Sequence, residues 1–118
     1  MSEAAIQQQV RLALSAAGSV AFRNNIGAYQ DPKTNRPIRY GVCNPGGSDL
    51  LGWTPVVVTH DMVGTTIAVF TAVEVKTSTG KPTEPQLNFI AQVLRAGGFA
   101  GIARSGADAV AITRQVTK

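Results

Sequence analysis

The feature that most restricts the fold of this chain is a long β-branched run from Thr65 to Thr77. Its residues are apolar at both odd and even positions, as expected of a central strand that is covered on both faces. After a short loop, Thr83-Glu84-Pro85-Gln86 has the spacing of a helix capping box, and Phe99 to Arg104 reads as another strand. A strand, a helix and a second strand in this order predict a right-handed crossover between two parallel strands.

The rest of the chain adds two helices and two short strands to this unit. Ser2 is the expected N-cap of a helix from Glu3 to about Ala17. The stretch from Thr54 to Gly64 is ambiguous and receives no role. The predicted architecture is α/β, with one mixed β-sheet flanked by helices in a single domain over residues 1–118. Its remaining elements are strands at Val20 to Asn24 and Ser48 to Trp53, a long loop from Ala28 to Gly46, and a last helix capped at Ser105 that runs to about Thr113.

Composition limits the class of protein and the kind of metal site. Hydrophobic residues make up 44% of the chain and charged residues 15%, which excludes general disorder. No apolar run reaches the length of a membrane span, and Met1-Ser2-Glu3 is unlike a secretory leader, so we expect a cytoplasmic protein. One cysteine and one histidine exclude an internal disulfide and a Cys/His zinc site, so any metal must have oxygen ligands.

Glu74 and Lys76 form the first candidate pair of functional residues. In a strand, residues two apart point to the same face and lie roughly 7 Å apart, so the two side chains should project together. With Asp49, which follows the turn Pro45-Gly46-Gly47, they supply carboxylates for a hard cation and an ammonium for a phosphate. The alternative is that Glu-x-Lys is an exposed ion pair that contributes little. The glycines, in turn, either let the backbone approach a phosphate or simply form a turn.

Glu3 and Gln86 are weaker candidates, each with a structural alternative. Helical spacing puts Glu3 in line with Val10 and Leu14, on the predicted buried stripe. A glutamate in a first turn can equally complement the helix dipole. For Gln86, the capping box is a sufficient structural reason. The lone His60 is expected to be structural.

The charge distribution favours a polyanionic partner. Eleven Lys and Arg against seven Asp and Glu give a net charge of +4, and setting aside Glu3, Asp49 and Glu74 leaves only four acids. The predicted loop carries three bases with Tyr29 and Tyr40 interspersed, a composition that suits phosphate contact. A solvated loop that only aids solubility is the alternative. The candidate DNA-binding residues are Arg23, Lys33, Arg36, Arg39 and Lys81.

Taken in order, these motifs resemble the PD-(D/E)XK nuclease superfamily, specifically its VRR-NUC family in the small stand-alone form of phages and bacteria. The resemblance rests on Glu3, Gly-Gly-Ser-Asp-Leu ending at Leu50, Val-Glu-Val-Lys-Thr ending at Thr77, and Gln-x-x-Phe beginning at Gln86. It implies an αβββαβ core with a C-terminal helix and dependence on Mg²⁺ or Mn²⁺. Short relatives act as homodimers on branched DNA, in the manner of junction-resolving enzymes.

The resulting hypothesis is a metal-dependent, structure-specific DNA endonuclease that acts on branched DNA such as Holliday junctions. Asp49, Glu74 and the Val75 carbonyl would hold the metal, and Lys76 would orient the attacking water and stabilise the transition state. Glu3 and Gln86 would assist. The alternatives are another activity of the same superfamily (flap cleavage or nicking), a nucleic-acid-binding module whose acids are structural, and a small α/β interaction protein.

Overall fold

The structure is a computed structural model that describes residues 2–114. Its internal contacts group the chain into two compact units, the first ending at Thr54 and the second beginning at Pro55. Each unit contains at least one helix and at least one strand pair. The single domain over residues 1–118 stays a prediction.

The first unit contains one helix and two antiparallel strand pairs. The helix is capped as expected, because the amide of Ala5 donates to the Ser2 hydroxyl oxygen at 3.1 Å. The elements are α1 (Glu3–Ala16), β1 (Val20–Arg23), β2 (Gly27–Gln30), β3 (Pro37–Tyr40) and β4 (Leu50–Trp53). Strand β1 pairs with β4 from Val20↔Trp53 to Arg23↔Leu50, and β2 pairs with β3 as a hairpin.

The hairpin corrects the prediction of a long loop from Ala28 to Gly46. Its strands have four residues each, and the turn between them is closed by local hydrogen bonds. The amide of Asp31 donates to the Arg36 carbonyl, and the amide of Asn35 donates to the Asp31 carbonyl, both at 2.8 Å. Such short strands carry too few apolar residues for period-two alternation to stand out against the turn-forming residues around them.

The second unit is built on the predicted crossover. Strands β5 (Thr71–Val75) and β6 (Phe99–Ala103) pair in parallel, from Thr71↔Phe99 to Val75↔Ala103, which confirms the predicted parallel pair. The capping box is also present, since Thr83 and Gln86 exchange both reciprocal hydrogen bonds. The elements are a short 3-10 helix (His60–Met62), β5 (Thr71–Val75), α2 (Glu84–Arg95), β6 (Phe99–Ala103) and α3 (Gly106–Ile112).

The long β-branched run does not form one covered strand. Strand β5 begins only at Thr71, and Ile67 lies before it with 53% of its surface exposed. Along β5, Ala72 and Glu74 are half-buried whereas Val73 and Val75 are exposed, so the expectation of burial on both faces is wrong. β-branched residues are favourable in a strand, but they do not determine where it begins. The start of a strand depends on pairing with another strand and on packing against neighbouring elements.

The α/β class is confirmed. Among residues 2–114 the strands pair as three two-stranded sheets, two antiparallel and one parallel, with helices beside them. The larger αβββαβ arrangement stays a prediction. The buried hydrophobic side chains of the described residues all belong to the second unit, on α2, β6 and α3: Val93, Ala100, Ala103 and Ile112. None of the helices within residues 2–114 is long and apolar enough to cross a lipid bilayer.

Replacing Val93 with alanine tests this small core. Val93 is 1% exposed, and losing its two methyl groups should lower the free energy of unfolding by about 2 kcal/mol. Val57→Ala is the matched control, because Val57 lies in the same unit with 85% of its surface exposed. Urea unfolding of both variants measures the difference. Equal losses for the two valines would contradict this core assignment.

Candidate active site

Glu74, Lys76 and Gln86 meet at one carboxylate oxygen. The Lys76 ammonium nitrogen lies 3.4 Å from Glu74 Oε1, and Gln86 Nε2 donates to the same oxygen at 2.5 Å. The side chains of Lys76 and Glu74 are 19% and 32% exposed, so this pair lies in a partly desolvated place. The predicted shared face of Glu74 and Lys76 is confirmed. The simple alternative of a freely exposed ion pair does not describe this geometry.

Gln86 performs two structural tasks with one amide group. Its Oε1 accepts from the Thr83 amide at 2.8 Å, and its own backbone amide donates to the Thr83 hydroxyl at 3.3 Å. Because the capping bond fixes the carbonyl side of the amide, the NH₂ side is directed to Glu74. The capping role and the contact with Glu74 are therefore compatible.

A turn that follows Lys76 is held by Arg104. The Arg104 Nη1 donates to the carbonyl oxygens of Thr77 at 2.5 Å and of Gly80 at 2.7 Å. The Gly80 amide closes the same turn by donating to the Thr77 carbonyl at 3.2 Å. The Arg104 amide in turn donates to the Asp108 carboxylate at 2.9 Å. Arg104, which follows β6, thus joins the turn after Lys76 to the start of α3.

An open cavity of about 290 Å³ lies beside this cluster, between β5 and the first turns of α2. Glu74 and Gln86 contribute its polar groups. The rest of its wall is apolar, formed by Ala72, Val73, Pro85, Phe89 and Ile90. A charged group that enters the cavity would therefore meet one carboxylate and one amide against an apolar wall, where electrostatic interactions are stronger than in bulk water.

Asp49 lies in the first unit, exposed, directly before β4. Its position is fixed by Asn24, which follows β1. The Asn24 amide donates to the Asp49 carbonyl at 2.8 Å, and Asn24 Nδ2 donates to the carbonyls of Ser48 at 3.1 Å and Val42 at 2.9 Å. The Val42 amide completes the set by donating to Asn24 Oδ1 at 2.9 Å. One side chain therefore organises the whole segment that leads to Asp49.

Gly47 allows this segment to fold tightly. A Cβ at that position would overlap the Val42 carbonyl oxygen and lie 3.1 Å from Asn24 Nδ2. The Gly47 amide donates to the Cys43 carbonyl at 2.6 Å. The glycine before Asp49 is thus required by close approach of the protein's own backbone.

The basic residues of the hairpin are exposed, and its acid is engaged. Lys33, Arg36 and Arg39 are all exposed, whereas Asp31 is half-buried. The Asp31 carboxylate accepts from the Lys33 amide and from the Thr34 hydroxyl, both at 2.9 Å. These two hydrogen bonds, the Lys33 bond first, hold the pKa of Asp31 below its usual value. The carboxylate therefore stabilises the turn.

The remaining predicted site residues, Glu3, Arg23 and Lys81, are all exposed. Glu3 is exposed in the first turn of α1, and Val10 is exposed as well, whereas Leu14 is half-buried, so the predicted burial of Glu3 and Val10 is wrong. Across the described part of the chain, no three side chains among His, Cys, Asp and Glu form a group suited to a metal ion. Convergence of Asp49, in the first unit, with Glu74, in the second, stays a prediction.

Asn24 and Arg104 were missed by sequence reasoning. Both hold backbone carbonyls far along the chain, with separations of 18 and 24 residues for Asn24 and 27 for the Thr77 contact of Arg104. The only signal in the sequence is a polar residue placed directly after an apolar strand, which is common at strand ends.

Comparison with known proteins identifies one family. The family model described as "VRR-NUC domain" matches residues 20–107, which is most of the chain. Asp49, Glu74, Lys76 and Gln86 fall within the matched residues, and Glu3 falls before them. Searches of curated proteins and of solved structures found no match.

Asn24→Ala tests how Asp49 is held. The substitution removes three side-chain hydrogen bonds and should cost about 1–3 kcal/mol of stability, with faster hydrogen exchange at the Val42 amide. Asn24→Asp keeps the Oδ1 acceptor and should retain the Val42 protection while losing both donated bonds. Asn25→Ala, at the exposed neighbouring asparagine, is the control. Unchanged exchange at Val42 in Asn24→Ala would show that another contact holds this segment.

Proposed function

The chain belongs to the VRR-NUC family, whose members are nucleases, and on this basis we propose that it is a metal-dependent DNA endonuclease. Its proposed reaction is hydrolysis of phosphodiester bonds. The proposed substrate is branched DNA such as a Holliday junction, cut by a homodimer, and the proposed location is the cytoplasm. Flap cleavage and nicking are the alternatives within the same family.

The contact of Gln86 and Lys76 with a single oxygen of Glu74 is the observation that carries this proposal. A carboxylate that served only an ion pair would need one cation. Here an amide donor on a capped helix also fixes it, so the carboxylate has a defined orientation at the edge of an open cavity. Such fixed orientation is what a ligand or reacting group requires.

The donor atoms fit a hard cation. Both contacts fall on Oε1 of Glu74, so Oε2 would face the ion together with the carbonyl of Val75, an exposed residue at the end of β5. Asp49 would contribute the second carboxylate. Oxygen donors of this kind suit Mg²⁺ or Mn²⁺. When bound, the cation would supply Lewis-acid activation of water and neutralise charge on the phosphate.

Lys76 would act on the phosphate from its position beside Glu74. Its ammonium is held at 3.4 Å from Glu74 on a side chain that is largely buried, and partial burial strengthens its interaction with an anion. In this place it would orient the attacking water and stabilise the negative charge that builds up in the transition state. Gln86 would be a positioning residue, because it contacts Glu74 and the helix cap. Glu3 would assist from the start of α1.

Removing either proposed carboxylate ligand should abolish cleavage while leaving the fold intact. Glu74→Gln and Asp49→Asn keep the shape but lose the charge, and each should lower the cleavage rate at least about 100-fold, because a metal contributes several kcal/mol to such a transition state. The assay compares linear, flap, splayed and four-way DNA with Mg²⁺, Mn²⁺ or EDTA. Paired cuts on opposing strands of the four-way substrate are the expected signature of a homodimer.

Two isosteric substitutions serve as controls for this assay. Glu84→Gln changes an exposed carboxylate in the first turn of α2, and Asp61→Asn changes one in the 3-10 helix. Both should retain the wild-type rate. If Glu74→Gln or Asp49→Asn cleaves DNA at the wild-type rate, the substituted residue is not part of the active site. If the wild-type protein cleaves DNA equally well with Mg²⁺ and with EDTA, the reaction does not require a metal.

Phosphate contact by the hairpin predicts a specific salt dependence. Lys33→Ala, Arg36→Ala and Arg39→Ala should each weaken DNA binding with little regard to base sequence. Each should also lower the slope of log K against log salt by about one unit for the lost contact. Arg11→Ala removes an exposed cation from α1 of the same unit and is the control. Titrations in EDTA at several salt concentrations measure the slope, and an unchanged slope would exclude the hairpin from the DNA contact.

A further inference from the structure

One face of the β2–β3 hairpin carries two exposed tyrosine rings. The register Gly27↔Tyr40 and Tyr29↔Ile38, with side chains alternating along each strand, puts Tyr29, Ile38 and Tyr40 on the same face. They are 55%, 37% and 43% exposed. The two ring centroids lie 6.5 Å apart with the planes inclined by 36°. Large aromatic side chains left open on a short ribbon form a surface suited to contact with another planar, apolar group.

The rings are held in place by the strand that faces them. A Cβ on Gly27 would overlap the Tyr40 ring, so this glycine lets the ring lie across the backbone of β2. Asn44 ties the base of the hairpin, since its Nδ2 donates to the Gly27 carbonyl at 2.7 Å and to the Tyr40 carbonyl at 2.9 Å. At the other end, Asp31 closes the turn. The face is thus pre-organised, which lowers the entropy that a ligand must overcome.

The charge of the hairpin selects the class of ligand. Between Gly27 and Tyr40 the bases Lys33, Arg36 and Arg39 stand against a single acid, Asp31, whose two oxygens are already engaged in the turn. Arg39 pairs with Ala28 on the face opposite to the rings. Exposed rings with surrounding cations match a ligand that has flat apolar faces and a polyanionic backbone, which is the chemistry of unpaired nucleotides.

We propose that the face of Tyr29, Ile38 and Tyr40 is a stacking platform for the unpaired bases of branched DNA that has a single-stranded segment, such as a flap or a splayed arm. The inference rests on the proposed function for the identity of the ligand, and it adds a preference that phosphate contacts alone do not give. Paired bases expose only their edges, so a duplex would meet the cations but not the rings. The platform would therefore favour substrates with unpaired nucleotides over continuous duplex.

Isoleucine substitution at the two tyrosines separates stacking from simple apolar contact. Tyr29→Ile and Tyr40→Ile keep a bulky side chain with high strand propensity but remove the π-face. In EDTA, each should weaken binding of a thymidine oligonucleotide about 5- to 150-fold, the range expected for one lost base–aromatic stack, and leave binding of a duplex of the same length unchanged. An oligonucleotide containing 2-aminopurine, whose fluorescence falls when it stacks, should lose its quenching in the same variants.

The controls make each outcome informative. Tyr29→Phe and Tyr40→Phe keep the rings and should bind like the wild type, and Lys33→Ala should weaken single strand and duplex alike. Full single-strand binding and quenching by the isoleucine variants, with cleavage intact, would overturn the platform but leave the nuclease proposal standing. Loss of duplex binding in proportion would also overturn it, because that pattern marks loss of the phosphate contacts that both ligands share and not loss of base stacking. Wild-type protein that neither binds nor cleaves any DNA would defeat the proposed function itself.

Discussion

The parallel pairing of β5 with β6 is the constraint on which the candidate site depends. Two parallel strands joined in sequence need a crossover, and α2 supplies it. The helix must then begin beside the strand that it leaves, which brings its first turn next to the end of β5. Gln86, at the third position of α2, reaches Glu74 for this reason. The contact between Gln86 and Glu74 is therefore a consequence of chain topology. Once the second unit has folded, forming this contact requires little additional free energy.

Gln86 shows how a structural residue can also order a functional one. A capping box needs only a side-chain acceptor for the N-cap amide, a role that glutamate also fills well. An amide differs from a carboxylate because it accepts on one side and donates on the other. Glutamate at this place would satisfy Thr83 but would repel Glu74. The choice of glutamine is thus explained by both partners together, and neither partner alone explains it.

Sequence reasoning succeeded where a structure is set by neighbouring residues. The caps at Ser2, Thr83 and Ser105 involve contacts three residues apart, and all three are present. The Glu74–Lys76 pair follows from strand alternation in the same way. Sequence reasoning failed where the placement of a residue depends on partners far along the chain. Examples are the start of β5, the burial of Val10, and the roles of Asn24 and Arg104. Composition alone does not specify which distant carbonyl a side chain will bind.

The seven acids of the chain show which carboxylates the fold itself uses. Glu3, Asp61, Glu84 and Asp108 each lie in the first turn of a helix, where a negative charge complements the helix end. Asp31 closes the hairpin turn, and Glu74 is bound by Lys76 and Gln86.

Among residues 2–114, Asp49 lies at no helix start and directly precedes a strand. It is exposed, and Asn24 holds its segment through several hydrogen bonds. An exposed acid on a firmly held backbone can bind an external ligand with little loss of conformational entropy. This geometry supports proposing Asp49 for the metal site.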